Sequence, residues 1–499
     1  MNNRFKFLAR SVTIGCALVL AGCTTNTKEM SGLYDDGRFA DAAIAGDEAF
    51  EVLRVADGSR IRGFKNTEDR DMLWLGMEKG KILSDAGRFD DAVDVYQHVF
   101  SVQDHLSDME TLFAENPLDG SSWDAGQFLE DIGQAVMGAD QTTYVVQPYE
   151  AILLGSYASL SEMMADRPYY AAFARQSMQL QGEWRENLQL EKVGERRTPI
   201  KAMDDAMESD VGPDVDLGEF SIARILNFDQ FSLAKSSMRS VVADAEKAGI
   251  SSPFVPFASL INWAAFTRSG AGTDAATALR GFRDFSGRQV LADRLGDLAA
   301  EGGDKVLVLV GAGRGPTRDS FSVRIPIPIP DVGNGYFRGV YPILDYRGRD
   351  TRPSSITVGS QRLEIIDSVD ALATQNFMIR EPELWWRPTF RGVTRAVAAI
   401  IAQAVDDESD SLLDLIALGA NVILAEAEQP DLRMWTSLPA LHYAGLVDRP
   451  ADGNMVITIT SETGTGTVSV DVPEGLSLVY VRSLEPGLTS AHATLLQGR

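Results

Sequence analysis

The sequence predicts an α+β protein: all-α, repeat-like helical hairpins over 31–300, then a mixed β-sheet domain built around a helical pair over 301–499. Three observations carry that reading. A six-residue turn motif recurs near the start, apolar residues keep a three-and-four spacing as far as Phe285, and beyond Gly302 short β-branched runs alternate with glycine and proline turns.

The segment 1–22 comes first and has three parts. Arg4, Lys6 and Arg10 make a positive start, Ser11 to Leu20 is uncharged and mostly apolar, and Leu20-Ala21-Gly22-Cys23 closes it. A helix needs about 20 apolar residues to cross roughly 30 Å of hydrocarbon, twice this run, so 1–22 reads as a cleaved signal peptide. The Leu-Ala-Gly-Cys ending resembles the lipobox of bacterial lipoproteins. That resemblance implies cleavage before Cys23, diacylglycerol on its sulfur, and acylation of the new amine. At about 0.8 kcal/mol per buried CH₂, several acyl chains hold firmly where one would not. Many Gram-negative lipoproteins with aspartate at the next position stay in the inner membrane. Thr24 therefore implies the outer membrane, facing the periplasm. A lipidated tether of about seven residues over 23–30 would reach about 25 Å.

Cys16 lies in the discarded segment, so the mature chain keeps only Cys23 and has no internal disulfide. A periplasmic chain so made depends on its core, which 44% hydrophobic residues can supply. The formal charge is −25, and loss of the three cations of 1–22 takes it to −28. Such a field repels nucleic acid and anionic headgroups, because phosphate binding needs clustered Lys or Arg.

Gly37-Arg38-Phe39-Ala40-Asp41-Ala42 recurs as Gly87-Arg88-Phe89-Asp90-Asp91-Ala92, an offset of 50. In each copy the glycine ends a helix, Phe39 or Phe89 plugs the corner, and Ala42 or Ala92 lets the next helix approach. Gly80, Leu83 and Tyr96 extend the pattern, which resembles the tetratricopeptide repeat (TPR). A regular array would repeat at about 34 residues, so a longer connection over 57–67 is expected. An unrelated bundle using the same turn is the alternative.

Further helices are expected after Pro148, from Pro168, and as a pair, Phe257 to Arg268 and Asp274 to Phe285. The acidic stretch Asp204 to Glu219 reads as a solvated loop. Strands are expected over Lys305 to Val310, Phe321 to Ile325, Ser355 to Val358, Arg362 to Ile366, Met455 to Thr460, Thr467 to Val472 and Leu476 to Val481. Ile325-Pro326-Ile327-Pro328-Ile329-Pro330 suits an edge or an extended strap, since proline donates no ladder hydrogen bond. The helical pair is Pro388 to Ala404 and Ser411 to Ala427. Strands on both sides of it suggest one sheet assembled from both.

Several stretches together resemble a family of largely uncharacterised bacterial lipoproteins with a TPR-like N-terminal half. They are the lipobox, Asp71 to Trp74, Gln147 to Glu150, Arg324 to Pro328, Arg387 to Ala399 and Trp435 to Pro439. The resemblance implies location and architecture, with envelope proteins, other lipoproteins among them, as partners. It implies no activity.

Motifs of chemistry are sparse. Gly311 to Gly315 follows a strand but meets Pro316 and another strand, whereas a nucleotide loop must open a helix. Ser232-Leu233-Ala234-Lys235 matches S-x-x-K without the other elements such hydrolases require. His98, His105, His442 and His492 form no metal motif, and Asp214 to Gly218 puts glycine where a calcium ligand belongs. Neither a catalytic residue, a metal nor a cofactor beyond the lipid on Cys23 is expected.

Trp385, Trp386, Arg387, Arg391 and Arg395 are the densest candidate cluster. They either fill a domain seam together with Trp435 or anchor a partner, as Trp and Arg do in interface hot spots. The functional expectation is a membrane-anchored protein-binding or assembly factor of the envelope. An enzyme acting on an envelope polymer such as peptidoglycan, or a purely structural envelope subunit, are the rivals.

Overall fold

The computed structural model describes residues 27–58, 68–106, 144, 146–193, 229–250, 254–301, 303–329, 333–379, 384–385 and 430–498. The fold is α+β, with most helices N-terminal and the strands C-terminal. The helices are α1 (27–35), α2 (Phe39–Gly58), α3 (Glu68–Asp85), α4 (Phe89–Leu106), α5 (Pro148–Met164), α6 (Tyr170–Val193), α7 (Asp229–Lys247), α8 (Pro256–Arg268), α9 (Gly272–Ser286), α10 (Gln289–Glu301) and α11 (369–379).

Both copies of the repeated motif build the same turn. Gly37 and Gly87 take φ of 74° and 76°, where an L side chain is strained. Their amides bond back to Tyr34 O and Ser84 O, and those of Arg38 and Arg88 to Leu33 O and Leu83 O, which caps the orphan carbonyls of the helix just ended. Arg38 Nε then donates to Asp41 at 2.8 Å and Arg88 Nε to Asp91 at 2.7 Å. Phe39, Ala42 and Ala92 are buried, whereas Phe89 is half-buried against the edge of His492. Asp166 and Gly270 close α5 and α8 with the same pair of bonds.

Lys305–Ala312 (β1) is buried on both faces, which is why it reads as a continuous apolar run. It lies at the centre of a five-stranded sheet. Leu476–Glu485 (β10) pairs with it in parallel and Leu441–Asp448 (β7) antiparallel. Leu488–Gln497 (β11) and Glu364–Ser368 (β6) form the two edges. A second, antiparallel sheet holds Pro353–Val358 (β4), Gln361–Arg362 (β5), Asn454–Ser461 (β8) and Gly464–Asp471 (β9). Thr317–Ile329 (β2) and Gly333–Asp345 (β3) make a two-stranded ribbon.

Alternation along the central sheet creates three layers. Val306, Val308, Val310, Val479 and Val481 face Ile356, Met455, Ile457 and Ile459 of the second sheet. Leu307, Leu309, Leu478, Tyr480 and Leu446 face the helices and join one core with Tyr157, Phe257 and Trp435. That core crosses from the helical part to the strands without a break.

Strand β11 lies along the row of helical turns. Its Leu488 sits under Gly37 and its His492 under Gly87. Thr494 Oγ1 donates to Met163 O and accepts from Arg268, tying in the ends of α5 and α8. A Cβ at Gly87 would stand 2.8 Å from His492 Cε1. Gly87→Ala is therefore expected to lose about 1–2 kcal/mol from the left-handed backbone, with the steric cost added. Gly182→Ala in α6, whose Cβ meets nothing within 4 Å, should be neutral or stabilising. Chemical denaturation of the two variants checks the contrast.

The structure revises several expectations. Residues 27–30, expected in the tether, belong to helix α1, and Met30 is buried. Three sheets stand where one was expected, although both larger sheets do combine strands from either side of the segment that follows α11. The expected strand over Arg362 to Ile366 is two: it breaks at buried Leu363, and its halves serve different sheets. Strands β3, β7 and β11 were not anticipated. The prolines Pro326 and Pro328 do sit in a strand that, among the described residues, has a single partner. Asp204 to Glu219 and the helical pair over 388–427 lie outside the described residues.

Candidate functional site

The helix-facing side of the central sheet carries a polar rank across its strands, Arg482 on β10, Gly311 on β1 and His442 on β7. Gly311 makes the rank possible, because a Cβ there would come within 2.9 Å of the Tyr480 hydroxyl. His442 Nε2 is 2.9 Å from the Tyr157 hydroxyl, and its Nδ1 is 2.5 Å from Asp367 Oδ1. Asp367 Oδ2 accepts the amide of Phe257, whose ring stacks on the imidazole at 4.0 Å. Tyr157 and His442 are fully buried and Asp367 is 1% exposed, so no substrate atom meets this relay in the present conformation.

At the other end of the rank lies a buried charge cluster. Lys81 Nζ donates to both oxygens of Asp85 at 2.5 Å, and Arg482 Nε stands 3.6 Å from Asp85 Oδ2. The Tyr34 hydroxyl donates to Asp85 at 2.6 Å while accepting from Arg482 Nε at 2.8 Å. Arg482 Nη1 is satisfied by the carbonyls of Gly311, Gly313 and Ser483. Burial lowers Lys81 to about 8, with the charge of Asp85 opposing the shift. Burial, reinforced by Asp85, pushes the Tyr34 hydroxyl well above its ordinary value.

Between helices and sheet runs an irregular strap, 431–440. Its backbone groups find their partners in side chains. Glu78 of α3 accepts the amides of Thr436 and Ser437 and the Thr436 hydroxyl, while Glu150 of α5 accepts the amide of Trp435. Trp74 Nε1 donates to Met434 O, Arg347 Nη2 to Thr436 O, and the Tyr34 hydroxyl also reaches Ser437 O. Burial pushes both glutamates above the ordinary carboxylate range, and the donors aimed at them pull the other way.

An open cleft of about 330 Å³ lies between the first two hairpin turns. It is lined by Gly37 to Asp41, Asp85, Ala86, and Ser490 and His492 of β11. Ser490 Oγ and His492 Nε2 are shielded from water and have no hydrogen-bond partner. Among the described residues no three His, Cys, Asp or Glu side chains could hold a metal ion, and no helix is long and apolar enough to cross a membrane.

Trp385 and Trp435 are both fully buried in the one core. Trp385 packs on Phe231, Phe321 and Phe377 and donates to Pro342 O; Trp435 meets Tyr157 edge-on and donates to Ser437. No ring contact joins the two tryptophans among the described residues. Trp386, Arg387, Arg391, Arg395 and Cys23 lie outside them. Ser232 is exposed on α7 and Lys235 lies over the Trp385 ring, which separates the S-x-x-K pair. Sequence reasoning missed Glu78, Lys81, Asp85, Glu150, Asp367 and Arg482. The one signal for any of them was Gln147-Pro148-Tyr149-Glu150, where Glu150 completes a capping box on α5.

Compared with known proteins, the chain matches no family model, no curated protein and no solved structure.

Proposed function

We propose that this chain is a lipid-anchored protein of the bacterial envelope, at the periplasmic face of the outer membrane, that binds or assembles partner proteins through its TPR-like hairpins. The observation that carries the reading is the open cleft between the two repeated turns. Stacked helical hairpins of this kind leave surfaces between neighbours that take peptides and proteins. The lipobox ending at Cys23 supports the anchor. The described residues of α1 begin four positions later, so chain length allows at most about 14 Å between the cysteine and that helix.

Cys23→Ser should move the protein from the membrane fraction to the soluble fraction and abolish incorporation of labelled palmitate. A photo-crosslinking residue at Ala40, in the cleft, should give a discrete protein adduct in membranes. The same residue at Val290, which is exposed elsewhere, should not. Adducts equal at both positions, or none at Ala40, would count against the reading.

A further inference from the structure

We infer that strand β9 pairs with β9 of a second copy of this chain, antiparallel across a two-fold axis at Val468, so that their four-stranded sheets join edge to edge. The inference goes beyond the partner-binding reading and does not depend on it.

Strand β9 is the outermost strand of its sheet, with β8 as its neighbour. Hydrogen bonds alternate along each strand of an antiparallel pair. Val472 N donates to Gly453 O just past the end of the β8–β9 pair, which sets the phase. Gly464, Gly466, Val468 and Val470 therefore turn their peptide groups to β8. Thr465, Thr467, Ser469 and Asp471 turn theirs outward, and among the described residues nothing bonds to them. All four are exposed.

Other edges have cover or little length. Strand β11 lies along the helical turns, Arg288 Nε donates to Ile365 O of β6, and β5 is two residues long. Strand β9 has none of the devices that discourage a further strand. It holds no proline and no lysine, and its register with β8 runs from Gly464 to Asp471 without a bulge. Its inner face is also incompletely covered. Met455, Ile457 and Ile459 of β8 are fully buried, whereas Val468 and Val470 beside them are half-buried.

The order of residues in β9 selects a second copy as the occupant. A two-fold axis at Val468 sets Thr467 opposite Ser469 of the second copy, and Thr465 opposite its Asp471. These are the positions whose peptide groups point outward, so each pair exchanges both of its bonds. An axis one residue to either side would leave Asp471 or Thr465 with no strand residue opposite. On the outer face hydroxyl meets hydroxyl and hydroxyl meets carboxylate. Asp471 is the only charge in β9, and it faces threonine rather than its own copy. On the inner face Val468 meets Val468, and Val470 stands opposite Gly466, which has no side chain to crowd it. Each copy carries a formal charge of −25, with exposed Glu462 and Glu474 flanking the strand, so repulsion opposes the pair and salt should tighten it.

The test begins with sedimentation velocity of the full chain, in detergent that keeps any anchor. It should show a concentration-dependent dimer that tightens from low to high salt. Thr467→Pro removes an outward N–H and leaves the β8 ladder intact. Its melting should stay near wild type while the dissociation constant rises at least about tenfold. Thr467→Glu, which keeps the backbone donor and adds charge, should weaken the dimer in low salt and recover in high salt. Val468→Cys should give a disulfide between copies on oxidation. The Cα atoms of a non-hydrogen-bonded pair lie about 4.5 Å apart, and a disulfide spans about 4.4–6.8 Å. Val456→Cys, exposed on β8, should not crosslink beyond the wild-type background of Cys16 and Cys23. A monomer at every concentration overturns the inference. So does a dimer that Thr467→Pro leaves unchanged, or one in which the two cysteine variants crosslink equally. A photo-crosslinker at Val468 that yields adducts only with other proteins assigns the edge to a foreign strand, and overturns it as well.

Discussion

Asp85→Asn is expected to destabilise the protein by about 3–5 kcal/mol, and by clearly more than Lys81→Met does. Asp85 is the shared counter-charge of two fully buried cations, at 2.5 Å from Lys81 and 3.6 Å from Arg482. Removing one partner of a buried pair leaves an uncompensated charge, and that penalty exceeds what the pair contributes when intact. With asparagine in place, Lys81 and Arg482 confront each other in the core. With Lys81→Met, Asp85 keeps Arg482 and the Tyr34 hydroxyl, and the methionine fills much of the lysine volume. A loss of 3–5 kcal/mol is a large share of the 5–15 kcal/mol typical of whole domains. Urea denaturation of the two variants gives the ranking; equal losses would show that Asp85 is no more than a hydrogen-bond acceptor for Lys81.

The same cluster sets a pH signature. Lys81 titrates at about 8 in the fold and near its ordinary 10.5 when unfolded. Between those values the unfolded chain binds more protons, so stability from this group rises with pH; below about 8 the full penalty of the buried charge is present. The buried hydroxyls of Tyr34, Tyr96 and Tyr157 are held well above their ordinary value of about 10. Above that pH the unfolded chain loses protons that the fold keeps, and stability falls. The wild-type protein should therefore gain stability between pH 8 and roughly 9.5, a gain that Lys81→Met abolishes.

Glu78→Ala carries the second large effect. It leaves the amides of buried Ser437 and half-buried Thr436 without their acceptor, and each orphaned donor costs about 1–3 kcal/mol. Glu78→Gln, which keeps one acceptor oxygen, should cost distinctly less. Glu150→Ala removes the acceptor for Trp435 N, Gln147 N and the Tyr144 hydroxyl. Both glutamates grip one strap, so their combined loss should be less than additive once the strap has left its seat. Amide hydrogen exchange at Trp435, Thr436 and Ser437 reports the release directly. Unchanged exchange there in Glu78→Ala would remove the strap from the account.

The parts of the fold that sequence revealed are those whose bonds close within a few residues. The Gly-Arg-Phe motif contains its turn, its left-handed glycine and its Arg–Asp pair, so both copies could be read directly. The prolines of β2 also announced a strand that, among the described residues, has one neighbour. Strand β7 was hidden because both its faces are buried and Gly445 breaks the apolar run, leaving no period-two pattern to see. Strand β11 was hidden because half-exposed small residues make up half of its length. The buried cluster was less legible still. Met77-Glu78-Lys79-Gly80-Lys81 has the look of a solvated helix face. Only Arg482 on β10 and the strap at 434–438, far along the chain, turn Glu78 and Lys81 into core residues.

Strand β11 touches the turns of α1–α2 and α3–α4 and the ends of α5 and α8, yet it leaves the ribosome after all of them. The helices are made first and pack on one another directly, but these ten residues alone run along all four of those ends. A stop placed before Leu488 would thus yield a product with all the described helices and a missing crossbar. Its bare turns and the open edge of β10 would offer themselves to proteases and to neighbouring chains, so that truncation before β11 should be policed by degradation.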